Sequence, residues 1–140
     1  MLFDYQIPDN HLSLRSGLAP AIRGTLLEST RDEWPEHARY QGKAGFFLGI
    51  HSNILNGSKA LSGGFETLLD VSNSTVEEEL RASRLTRLGQ DLIGYAHHHH
   101  EMEDRYYFPV FKKQYREMEN AIALLDGDHL ALHSIKWHKR

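Results

Sequence analysis

The chain has 140 residues, 40% hydrophobic and 25% charged, with a formal net charge of −3, the size and balance of one soluble globular domain. That charge leaves no basic face for nucleic acid, and the absence of cysteine excludes disulfides, zinc ribbons and thiolate-held clusters. Any metal must therefore be held through nitrogen and oxygen. No run approaches the roughly 20 apolar residues that span a bilayer. The start, Met1-Leu2-Phe3-Asp4-Tyr5, lacks the basic region and apolar core of a signal peptide, so a cytoplasmic protein is expected.

Strand signals are scarce, and the pattern is helical from end to end. Leu12 to Glu28 predicts a short N-terminal helix broken at Pro20, within an N-terminal segment 1–34. A long helix is predicted over 35–69, opening at Pro35. Its apolar stripe is Ala44, Phe47, Leu48, His51, Ile54, Leu55, Ser58, Leu61, Phe65 and Leu68. Six glycines lie between Gly42 and Gly64; they either permit close helix approach or break the segment near Gly63-Gly64. After a turn at 70–74, Thr75-Val76-Glu77-Glu78 reads as a capping box for a second helix over 75–114. That helix places Leu85, Leu88, Leu92, Ala96, His99, Glu103, Tyr106 and Val110 on one face, with Pro109 expected to kink or end it. A third helix over 117–138 carries Met118, Ile122, Leu125, His129, Leu132 and His133. The whole chain, 1–140, is taken as a single domain.

Histidine is the compositional outlier: there are ten, six of them between His97 and His133. Residues four apart on a helix share a face, so His99 pairs with Glu103 and His129 with His133, while His51 adds a fifth group from the first long helix. Each feature has a bland reading. A lone histidine on an apolar stripe is commonly a hydrogen-bonded core residue, and His-x-x-x-Glu or His-x-x-x-His pairs are common on solvated helices. The run His97–His100 lies in mid-helix and in register with a leucine stripe, which is not where a purification tag sits. Together, five polar groups on three apolar stripes would cost roughly 1–3 kcal/mol each if left unpaired, against a total stability of about 5–15 kcal/mol. A cation turns them into ligands, and nitrogen and oxygen donors without sulfur suit iron, manganese or zinc.

Residues 97–109, His-His-His-His-Glu-Met-Glu-Asp-Arg-Tyr-Tyr-Phe-Pro, resemble the signature of the hemerythrin-like family. Residues 125–133, Leu-Asp-Gly-Asp-His-Leu-Ala-Leu-His, resemble its third-helix motif, and Leu14-Arg15-Ser16-Gly17-Leu18 through Trp34 to Ile50-His51 resembles the N-terminal portion of a bacterial subgroup. The resemblance implies an all-α, up-down helical bundle holding a di-iron pair. It also implies His51 as first-helix ligand, His99 and Glu103 as second-helix histidine and bridging carboxylate, and His129 and His133 as the third-helix pair. His98 is the reserve for His99. Glu101 and Asp104 fall off the stripe and take a supporting or surface role.

The family normally adds a fourth helix with a further histidine and carboxylate, whereas this chain stops at Arg140. The reading is therefore three long helices plus a short N-terminal one, with part of the coordination missing and one metal or none. Three closures are open: a natural chain that continues, the segment Leu12–Glu28 with His11 and Glu28 folding into the vacancy, or a homodimer covering the open face. Truncation or association ranks above the N-terminal segment. The leading function is iron binding of hemerythrin type, with dioxygen or another small diatomic ligand, for oxygen or iron binding or sensing. The alternatives are a di-iron enzyme acting on peroxide, nitric oxide or ferrous iron, and a helical interaction module with a decayed or truncated site. Tyr95, Tyr106 and Tyr107 lie near the ligands in sequence, where packing is the simpler role.

Overall fold

The computed structural model describes residues 3–38, 40, 42–69, 76, 78–80 and 84–134. Among the described residues there is no strand, and the class is all-α. The helices whose limits lie among the described residues are α1 (Pro20–Arg23), α2 (Lys43–Leu69), α3 (Leu85–Met102), α4 (Phe108–Gln114) and α5 (Glu119–His133), with a π turn at Glu103–Tyr107 between α3 and α4. The chain divides into two compact units, residues 31–99, and residues 1–30 with 100–140. The turn at 70–74, Thr75 of the capping box, and the end of the third predicted helix past Ser134 lie outside the described residues.

In the unit 31–99, Pro35 belongs to a separate 3-10 segment, Arg31–Glu36, and the long helix starts only at Lys43. Gly42 explains the interruption. It adopts φ 56°, a left-handed conformation through which an α-helix cannot run, and its carbonyl accepts from the Phe46 amide at 3.3 Å. Arg84, at φ 58°, interrupts the chain before α3 in the same way. Once begun, α2 passes through Gly63-Gly64 without a break. Its least exposed positions are Gly45, Phe47, Leu48, Ile50, His51, Ile54, Gly57, Leu61, Gly64 and Leu68, and those of α3 up to residue 99 are Leu85, Gly89, Leu92, Ala96 and His99.

Two α2 glycines are the contact points with α3. A Cβ on Gly57 would stand 2.8 Å from Leu92 Cδ1, and one on Gly64 would overlap the Leu85 side chain. Leu61 in turn reaches over Gly89. Numbers rise along α2 as they fall along α3, so the two helices are antiparallel, with leucines from one filling glycine notches in the other. The seam is narrower than the predicted stripe, and Ala44, Leu55, Ser58, Phe65 and Leu88 are exposed.

In the second unit, the helical run continues past Pro109 as far as Gln114. The Phe108 amide bonds to the Glu103 carbonyl, five residues back, and this π turn places Pro109 in the first turn of α4, where a missing N–H costs little. The extra residue rotates everything after it by about 100°. Phe108 is consequently buried, and Tyr106 and Val110, predicted on the inner face, are exposed.

No helix spans Leu12–Glu28. Only Pro20–Arg23 is helical, after a 3-10 turn at Pro8–Asn10, because Pro20 favours the first helical position and disfavours any turn before it. This segment nevertheless docks. Ile22 is buried, and α1 contacts α5. His11 and Glu28, the possible ligands from this region, do not reach a cluster: His11 pairs with Ser13 Oγ at 2.8 Å and Glu28 is exposed.

The Tyr5 hydroxyl donates to Asp128 Oδ1 at 2.8 Å, and burial, together with the Asp128 carboxylate, holds the phenol above its ordinary value. The folded chain therefore keeps a proton that the unfolded chain loses near pH 10. This contribution is complete below about pH 10 and is lost as pH rises through the folded value. Urea midpoints measured from about pH 8 to about pH 11 should fall more steeply for the wild type than for Tyr5→Phe, and parallel curves would contradict the assignment.

Candidate metal centre

The antiparallel pairing of α2 with α3 brings His51 opposite His99. Their Nε2 atoms are 2.9 Å apart and their rings meet edge-on, with centroids 4.8 Å apart. His99 is 6% exposed, and Phe47 packs near its ring. His98 is exposed, so the buried position in the histidine run is His99. Two imidazoles bound to one ion at about 2.0–2.1 Å would place their nitrogens about 3 Å apart. The observed separation fits that arrangement, and it equally fits a single N–H···N hydrogen bond.

In the other unit the centre of the cluster is His129, 6% exposed on α5. Its Nδ1 is 2.7 Å from Asp104 Oδ1, and its Nε2 is 3.6 Å from Glu103 Oε2. With the Asp104 carboxylate accepting, Nδ1 carries a proton, and Nε2 is the ring nitrogen turned toward Glu103. Donation of the remote ring N–H to a carboxylate is how ligating histidines are oriented and made more basic. His100 stacks on the His129 ring at 3.9 Å, and Phe108 lies parallel to it at 5.7 Å. His133 is exposed, with its Nε2 3.4 Å from His100 Nδ1.

Of the five residues singled out from sequence, His51 thus meets His99, Glu103 meets His129, and His133 meets His100. Glu103 also follows His99 by one helical turn along a continuous run. Sequence reasoning passed over His100 and placed Asp104 off the stripe. The signal was available: His100 and Asp104 are themselves four apart, one residue out of phase with His99 and Glu103, and both contact His129. Glu101 is confined to the helix surface, paired with Arg105 at 3.2 Å.

The donor set is imidazole and carboxylate throughout, as N/O-coordinated divalent metals require. Among the described residues, no fully buried side-chain nitrogen or oxygen lacks a hydrogen-bond partner. Mutual pairing therefore covers the burial cost, and burial alone does not demand a cation.

A family model, the Hemerythrin HHE cation binding domain, matches residues 52–136. The chain belongs to this hemerythrin HHE family. The match includes His99, Glu103, His129 and His133 and begins one residue past His51. Comparisons with curated proteins and with solved structures gave no match. As a hemerythrin HHE domain the chain has an all-α fold of the hemerythrin-like bundle class, and the family's description is one of cation binding. No described helix is long and apolar enough to cross a membrane.

Proposed function

We propose that this hemerythrin HHE protein is a cytoplasmic, non-haem iron-binding protein that takes dioxygen or another small diatomic ligand and serves oxygen or iron binding or sensing. The protein ligands in this reading are His51, His99, Glu103, His129 and His133. The observation that carries it is the buried His129, held by Asp104 at Nδ1 so that its Nε2 lies toward Glu103, within a chain whose family is defined by cation binding. Bound iron would supply Lewis acidity and a reversible redox couple. The chain's own contribution is orientation: Asp104 fixes the His129 tautomer, and stacked His100 and Phe108 fix its ring plane.

Anaerobic titration with ferrous iron, followed by oxygen, tests the reading. Uptake of iron and a charge-transfer band that disappears on deoxygenation and returns with oxygen are expected. Catalytic consumption of peroxide or nitric oxide would replace binding by an enzyme, and no iron uptake would end the metal reading. We further infer a homodimer, supported by exposed Leu125 and Leu132, seven residues apart on one face of α5. Light scattering at micromolar concentration should return twice the chain mass, and a monomer would refute it.

A further inference from the structure

The residue immediately before His129 is tied to a different part of the chain. Arg15 donates through Nη1 and Nη2 to the two carboxylate oxygens of Asp128 at 2.7 and 2.6 Å, and Tyr5 adds its hydroxyl at 2.8 Å. The two charged side chains are 15% and 11% exposed, so this is a largely buried, bidentate pair. The segment that supplies it is braced internally. The Leu12 amide donates to the Tyr5 hydroxyl at 3.1 Å, and Arg15 Nη1 also donates to the Asn10 carbonyl at 3.1 Å. The Tyr5 ring lies so closely over Gly127 that no Cβ fits there.

Successive residues on a helix point about 100° apart. Residues 127 and 128 are gripped by Tyr5 and Arg15, and residue 129 faces Glu103 and Asp104. With side chains about 5–6 Å from a helix axis, a roll of about 20° would carry the His129 imidazole about 2 Å, as far as a ligand bond is long, about 2.0–2.1 Å. The rotational setting of α5 therefore decides whether His129 meets its partners. The geometry points to residues 5–15 as a strap that sets this rotation, with Arg15, Tyr5 and Asp128 acting as positioning residues that touch no metal. This inference rests on the iron reading of the His129 cluster.

Arg15→Met, Arg15→Lys and Tyr5→Phe separate the possibilities in two arms. In the first, each protein is loaded with cobalt(II) as a spectroscopic stand-in for iron, and its visible d–d spectrum and rate of cobalt transfer to a chelator are recorded. Arg15→Met should shift the spectrum and release cobalt about tenfold faster at unchanged far-UV helix content, as expected for loss of a supporting contact. Arg15→Lys, which keeps the charge but not the fork, should fall between, and Tyr5→Phe should shift the same way by less. Wild-type spectra and release rates in Arg15→Met and Tyr5→Phe would overturn the strap. In the second arm, hydrogen exchange of metal-free protein should be faster across residues 122–133 in Arg15→Met, and unchanged exchange would also overturn it. If the wild type takes up neither cobalt nor iron, the iron reading has failed, and faster exchange in the second arm still supports control of α5 by the strap.

Discussion

Replacing Glu103, a ligand in the proposed iron centre, with alanine should cost the protein its metal while leaving its helices in place. Glu103 is 9% exposed, opens the π turn, and lies with its Oε2 3.6 Å from Nε2 of His129. It also follows His99 by one helical turn. Changes to groups that only support a ligand already cost about 10–100-fold in metal affinity, so loss of Glu103, if it ligates as proposed, should exceed that range. Retained iron after dialysis should therefore drop by more than about tenfold. Far-UV circular dichroism should barely change, because alanine is the better helix former. Glu101→Ala is the matched control: it removes a carboxylate two residues away whose only described partner is the exposed Arg105. An exposed pair of this kind contributes about 0–1 kcal/mol, and iron content should be preserved. Equal iron in wild type and Glu103→Ala would withdraw Glu103 from the centre.

The second large effect separates two neighbouring glycines. Gly63 has nothing within 4 Å of where its Cβ would stand, whereas a Cβ on Gly64 would overlap Leu85, a side chain only 8% exposed. Gly63→Ala should stabilise the protein by up to about 1 kcal/mol, the helix-propensity difference between the two residues. Gly64→Val should cost about 2–3 kcal/mol, the upper part of the range for overpacking a close contact. Against a total of about 5–15 kcal/mol this is a large fraction, and the urea midpoint should fall by about 1 M or more at the slopes usual for small proteins. Adding Leu85→Ala to Gly64→Val should recover part of the loss, because residues in direct contact are non-additive. Losses that simply add, or equal effects at Gly63 and Gly64, would mean that α2 and α3 do not approach at this point.

What the sequence by itself determined follows from spacing within one helix and from side-chain chemistry. A period of 3.6 residues places His99 with Glu103 whatever the helix packs against, and a chain without cysteine leaves only nitrogen and oxygen donors. The all-α class was legible for the same reason, and the hemerythrin resemblance rested on the motifs at residues 97–109 and 125–133. Helix limits were less so, because Gly42 and Arg84 interrupt the pattern with left-handed backbone conformations that no hydrophobic period reveals. Tertiary structure alone decided which glycines carry the α2–α3 contact, since Gly63 and Gly64 look alike until Leu85 is placed beside one of them. It also decided the partners of His129. The π turn before Pro109 shifts the helix phase by one residue, so Phe108 turns inward where a uniform period points Tyr106 and Val110. Asp128 is the clearest case. In sequence it is one more acidic residue beside a histidine, and only the docking of a segment more than a hundred residues earlier supplies Arg15 and Tyr5 and buries the carboxylate. Spacing along one helix is local and periodic, whereas contacts between helices depend on rotation, register and approach, which are settled when the whole chain packs.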